Sequence, residues 1–148
     1  SLRIEKGFRL WGEDLHTEHT PFEAGLGWAV DMDTEFIGKE ALQAAQAEPA
    51  AADGGTQADD GSVYTDQQVA CLTLDDEDAT ILDDRPVFAP GEDESLGYVH
   101  SAEYGYTEGA CVAYTYLPSE YAEPGTDLEV LFEGQRYAAT VREEPLVS

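Results

Sequence analysis

From residue 69 to residue 141 the chain is a succession of short apolar runs, none longer than eight residues, separated by turn-forming residues. The runs cover residues 69–74, 86–88, 97–101, 110–117, 128–132 and 135–141. Segments this short, rich in Val, Tyr, Thr and Leu, do not make core helices, and their spacing is that of strands. Glu133-Gly134, between the last two runs, is a tight hairpin signal. Five or six strands in such a series predict a small antiparallel barrel or sandwich.

The residues before this series pattern differently. Leu2, Ile4, Phe8, Leu10 and Trp11 fit neither the helical nor the strand period, so residues 1–15 read as a short element running into a turn. Residues 16–21 (HTEHTP) form a polar turn ended by proline. Residues 23–30, punctuated by Gly25 and Gly27, read as a strand, and the alanine-rich residues 39–47 predict a helix. Residues 50–67 are low-complexity, rich in Ala, Asp and Gly, with too little apolar mass to order themselves. The expected organisation is an α+β arm over residues 1–46, a flexible insert over 47–67, and a mainly β C-terminal domain over 68–148, a small antiparallel β-barrel.

Seven basic residues against 32 acidic ones give a net charge of −25. Nucleic acid and anionic membrane are excluded as partners, because both would repel the chain. The acids are spread along the whole length rather than gathered in a tail. That distribution predicts a halophilic protein, in which high salt screens the self-repulsion. Cys71 and Cys111 lie inside apolar alternating runs; they allow a disulfide, but their setting favours two buried free thiols. No run approaches a membrane span and no signal segment opens the chain, so the expected location is the cytoplasm. The abrupt start, without Met, points to the back end of a longer polypeptide.

Few residues carry a chemical signature. His16 and His19 stand three apart with Asp14 and Glu18 near, but no cysteine pair accompanies them, and a solvated polar turn accounts for them better than a zinc site. His100 beside Ser101 lacks a nucleophile elbow, and Gly25-Leu26-Gly27 lacks the third glycine of a dinucleotide loop. The acid runs at 75–78 and 92–94 lack the spacing of a calcium loop and read as solvated surface. No metal site is expected. Two aromatic groups remain: Phe8 and Trp11 flanking Arg9, and Tyr98, Tyr104 and Tyr106 around Gly105. Aromatic faces with a carboxylate close by suit a flat, hydrogen-bonding heterocycle, although core packing is the plainer explanation.

Residues 2–12 (LRIEKGFRLWG) concentrate three of the seven basic residues, Arg3, Lys6 and Arg9, beside a Phe and a Trp. This segment resembles one found in the folate-dependent aminomethyltransferase family. That family includes the glycine cleavage T-protein, and its module also forms the C-terminal part of dimethylglycine and sarcosine dehydrogenases. Three further blocks agree in the same order: residues 21–30 (PFEAGLGWAV), 35–42 (EFIGKEAL) and 97–106 (GYVHSAEYGY) followed by Thr107. The ending at 144–147 (EPLV) fits as well. Lys6-Gly7, Trp11 and residues 104–107 look more like the dehydrogenase branch than the T-protein itself.

The resemblance implies a three-part fold around a folate pocket, with residues 1–46 as the end of the second part. It implies tetrahydrofolate as cofactor, with FAD only in a missing N-terminal domain. The implied partners are folate, a small amine substrate, and the remainder of the same polypeptide or a partner chain. Glu5 matches the family glutamate that holds the pterin ring, and Trp11, Tyr104 and Tyr106 are implied neighbours of the pocket. Around Asp33 and Thr34 the sequence departs from the T-protein, which places there an arginine that reaches the folate tail. The family's catalytic aspartate belongs to an N-terminal part that these residues do not contain, so catalytic residues are unassigned and the chain alone is not expected to be a complete enzyme. The expected function is the C-terminal part of a protein transferring a one-carbon unit to tetrahydrofolate. The alternatives are a non-catalytic folate-binding or structural relative of the same fold, and an unrelated acidic interaction module.

Overall fold

The computed structural model describes residues 2–47 and 67–147; most of the low-complexity insert, residues 48–66, lies outside them. A one-turn helix, α1 (Leu2–Glu5), opens the arm, and α2 (Lys39–Ala47) closes it. Six strands follow: β1 (Gln67–Leu74), β2 (Pro86–Phe88), β3 (Ser95–Gly105), β4 (Ala110–Pro118), β5 (Asp127–Phe132) and β6 (Gln135–Arg142). They close into an antiparallel barrel in the order β1-β4-β3-β2-β5-β6, with β6 returning to β1. Closure leaves no sheet edge unpaired, and of the two predicted architectures it is the barrel that forms. β5 and β6 meet at the expected hairpin, where Glu133 and Gly134 take φ values of 50° and 79°.

The barrel interior is filled by alternate residues of every strand, among them Leu72, Val87, Val99, Leu117, Val130 and Val141. β4 is different, because Ala110 through Leu117 are all buried. One face, through Cys111, Ala113 and Leu117, points into the barrel core. The other packs under the arm, where Val112 and Tyr114 form a second apolar cluster with Ile4 and Cys71. An antiparallel strand with one solvated face alternates apolar and polar residues; β4 is buried on both faces and is apolar almost throughout. Ile4, fully buried, is the arm's plug in this second layer.

A β-bulge aims β3 at the arm. Val99 pairs with Thr115 and Ser101 with Tyr114, so β3 carries one extra residue, His100. Val99 stays in the core, whereas His100 and Ser101 both reach residues 13 and 14 of the arm. Such bulges re-aim side chains.

Residues 23–30 are not the strand expected from their glycines. They form turns and a 3₁₀ segment, Gly27–Ala29. Local bonds satisfy the backbone: Leu26 N–H to the Pro21 carbonyl at 2.7 Å, Gly25 N–H to Phe22 at 3.0 Å, and Ala29 N–H to Leu26 at 3.0 Å. Gly25 takes φ of 67°, a left-handed conformation that an extended strand does not use. The two cysteines are free and buried, one in each apolar cluster. Among the described residues, no helix is long and apolar enough to cross a membrane.

Candidate functional site

The sequence-predicted residues separate into two places. Glu5, Tyr104 and Tyr106 come together at the turn between β3 and β4. Glu5 is 1% exposed, and its Oε1 accepts the backbone N–H groups of Thr107 at 2.7 Å and Glu108 at 3.0 Å. On the same turn, Tyr104 and Tyr106 pack edge to face with ring centroids 5.3 Å apart. Tyr104 is half-buried and donates its hydroxyl to the Gly109 carbonyl at 3.0 Å, while Tyr106 is 80% exposed. Arg142 on β6 pairs with Glu108 at 2.8 Å and fixes the far side of the turn. Tyr98 is exposed and makes no ring contact with this pair.

Trp11 stands elsewhere, on the loop of residues 10–15, and is 70% exposed. Asp14, fully buried, shapes that loop. Its Oδ2 accepts from the Leu10 N–H at 2.8 Å and from Arg3 at 2.5 Å, and its Oδ1 accepts from the Ser101 hydroxyl. Nothing in the local sequence marks Asp14 as buried; the only hint is an arginine that needs a partner eleven residues earlier. His16 and His19 are likewise half-buried against the barrel rather than solvated.

Between the arm and the end of the chain lies a groove of about 730 Å³, lined by Lys6, Phe8, Arg9, Trp28, Val69 and Glu144 among others. Arg9 donates to the Gly7 carbonyl at 2.8 Å, pairs with Glu144, and lies over the Tyr114 ring at 5.2 Å. Its Nε is buried without a partner. The Tyr114 hydroxyl is within bonding reach of the Ile4 carbonyl and of Glu144, and burial followed by that carboxylate pushes its pKa up. Phe8 and Trp28 present exposed rings to the groove. Sequence reasoning did not find this junction, because Arg9 and Glu144 are 135 residues apart.

Among the described residues, neither cysteine is an activated nucleophile. Burial pushes both cysteine thiols up, away from the reactive thiolate. Among the described residues, no group of three His, Cys, Asp or Glu is placed to hold a metal ion. What the surface offers instead is aromatic faces: Phe8, Trp11, Trp28 and Tyr106 are all more than half exposed.

Comparison with known proteins agrees with this architecture. The family model described as the glycine cleavage T-protein C-terminal barrel domain matches residues 67–148, and the GCVT N-terminal domain model matches residues 1–34. A probable aminomethyltransferase of Haloarcula marismortui is 35% identical over 99% of this chain, which covers 37% of that protein. Mitochondrial dimethylglycine dehydrogenase of Rattus norvegicus is 32% identical over 99% of the chain, which covers 15% of it. The crystal structure of the glycine cleavage system aminomethyltransferase T from Bartonella henselae superposes with a TM-score of 0.79 at 26% identity, over 99% of this chain and 37% of that one. The chain thus spans little more than a third of its aminomethyltransferase relatives. By the barrel-domain match over more than half its length, it belongs to the glycine cleavage T-protein family.

Proposed function

We propose that this chain is the C-terminal portion of a folate-linked protein that moves a one-carbon unit from an amine nitrogen to tetrahydrofolate. One observation carries the reading. The same residues, 99% of the chain, align with both an aminomethyltransferase and a dimethylglycine dehydrogenase, and both names describe a one-carbon group on nitrogen. The remainder of the same polypeptide, or a partner chain, supplies the rest of the site, and a flavin, if one takes part, belongs there.

The side chains present fit a folate through their rings more than through their carboxylate. Tyr106 and Trp11 offer open aromatic faces, which suit a flat conjugated ring. Glu5 is enclosed, and its Oε1 already takes two backbone amides. Through that oxygen it also holds the turn that presents Tyr104 and Tyr106. Tetrahydrofolate, when bound, supplies the nitrogen that receives the one-carbon unit. The contribution of this chain is orientation, which alone removes several kcal/mol from a two-reactant barrier.

The test is a titration of the native polypeptide containing these residues with tetrahydrofolate in molar KCl, followed by tryptophan fluorescence. Saturable quenching is expected, and Tyr106→Ala should weaken binding about fivefold, the loss of one aromatic contact of roughly 1 kcal/mol. Absence of saturable binding, or an unchanged affinity in the variant, would refute the reading.

A further inference from the structure

All three histidines of the chain meet on one side of the barrel. His16 and His19 come from the turn that follows the Asp14 loop; His100 is the extra residue of the β3 bulge. The ring centroids of His16 and His19 lie 5.8 Å from that of His100 and 6.4 Å from each other. The carbonyl of Glu13 receives two of them, from His16 Nε2 at 2.7 Å and His100 Nδ1 at 3.1 Å. A carbonyl only accepts, so both nitrogens carry their hydrogens. His19 lies flat on Tyr116 of β4, 3.6 Å away at an interplanar angle of 5°, and the Tyr116 hydroxyl donates to the Asp14 carbonyl at 2.8 Å. One shared carbonyl, one stacked pair and one hydroxyl bond thus tie residues 13–19 to β3 and β4.

We propose that this cluster is an acid-release latch: with its imidazoles uncharged it holds residues 15–20 on the barrel, and protonation frees that segment while Asp14 and the barrel stay in place.

Three physical facts support it. Two imidazolium rings at about 6 Å repel each other in a site partly shielded from water. The rings attach residues 16–19 to the strands, through His100 and Tyr116, while Asp14 is held separately by Ser101 and the Tyr116 hydroxyl; the barrel core contains no histidine among its described residues. Finally, His19 is held below the ordinary histidine value of 6.5, first by burial and then by His100 and His16, against the opposing pull of Glu23 and Glu18. The remaining groups around the cluster do not reverse this. The Glu13 carboxylate is exposed, Asp14 is paired with Arg3, and Tyr116, pushed up to about 12 chiefly by burial, keeps its proton throughout the acid range. The sign follows from the lowered folded value. The contribution of the latch is whole above pH 6.5 and is lost as the pH falls through the folded His19 value.

The test is amide hydrogen exchange on the whole 148-residue chain in molar KCl, from pH 8 to pH 5, corrected for intrinsic exchange. Protection of the Leu15 and His19 amides should fall about tenfold for each unit by which His19 is lowered, while Val112 and Val130 keep theirs. In the double variant His19→Gln/His100→Gln this acid dependence should disappear. A fall of loop and core protection together, or an unchanged acid dependence in the variant, would overturn the proposal. Proton NMR titration of the unaltered chain guards against a variant that does not fold. A His19 midpoint below 6.5 supports the latch, and one at or above 6.5 removes it.

Discussion

Glu5 joins three segments that the sequence keeps far apart. Its carboxylate takes two amides of the β3–β4 turn, and its carbonyl accepts the N–H groups of Leu146 at 3.0 Å and Val147 at 3.2 Å. An enclosed carboxylate is costly unless its oxygens are satisfied, and here backbone donors satisfy one of them. Removing it leaves the two turn amides without a partner. Glu5→Ala should therefore lower stability by about 2 kcal/mol, whereas Glu5→Gln, which keeps an acceptor oxygen, should cost less than half of that. Urea unfolding of the two variants side by side decides it; equal losses would mean that volume, not hydrogen bonding, is what matters. That an acid sits at this position was legible in the sequence as a motif match. That it faces backbone amides was not, because Thr107 and Glu108 are more than a hundred residues away.

At the scale of elements, the strands were readable because each writes its own pattern. The uninterrupted apolar run of β4 even announces that both its faces are covered, although not by what. The misread element is residues 23–30, where apolar residues and glycines look extended but local turns satisfy the backbone. A strand exists only if a neighbour offers a ladder, and among the described residues none pairs with these beyond the single bond from Val69 N–H of β1 to the Glu23 carbonyl at 2.8 Å. Gly97 on β3 shows the converse, a residue whose reason is wholly tertiary. A Cβ there would stand 2.3 Å from the Tyr116 carbonyl oxygen of β4. Gly97→Ala must push two paired strands apart and should cost about 1–3 kcal/mol, with added exchange at Thr115 and Tyr116 amides. A variant as stable as the parent would show that β3 and β4 yield more easily than their pairing implies.

Across the whole molecule, charge outweighs every other global property. With a net charge of −25 the folded chain concentrates repulsion that salt screens, and its few cations are mostly committed at close range, as in Arg9–Glu144, Arg3–Asp14 and Arg142–Glu108. Raising KCl from about 0.2 M to about 3 M should lift Tm by about 4–8 °C, the shift that roughly 2 kcal/mol produces in a chain of this size. Calorimetry across that range is the check, and a flat Tm would mean that the acids are merely a soluble surface.

Local order and global charge were decided by the sequence alone: strand spacing, the helix at Lys39–Ala47, the closing hairpin, and the acidity of the surface follow from neighbouring residues or from simple sums. Strand length is different: β3 runs on past its expected 97–101 to Ser95–Gly105 because β4 pairs along it. The tertiary structure alone decided closure of the barrel, the β3 bulge that turns His100 toward the arm, the meeting of the three histidines, and the burial of Glu5 and Asp14. Each of these depends on contacts between residues far apart in the chain. Side-chain periodicity reports the two faces of an element but not which other element will cover them.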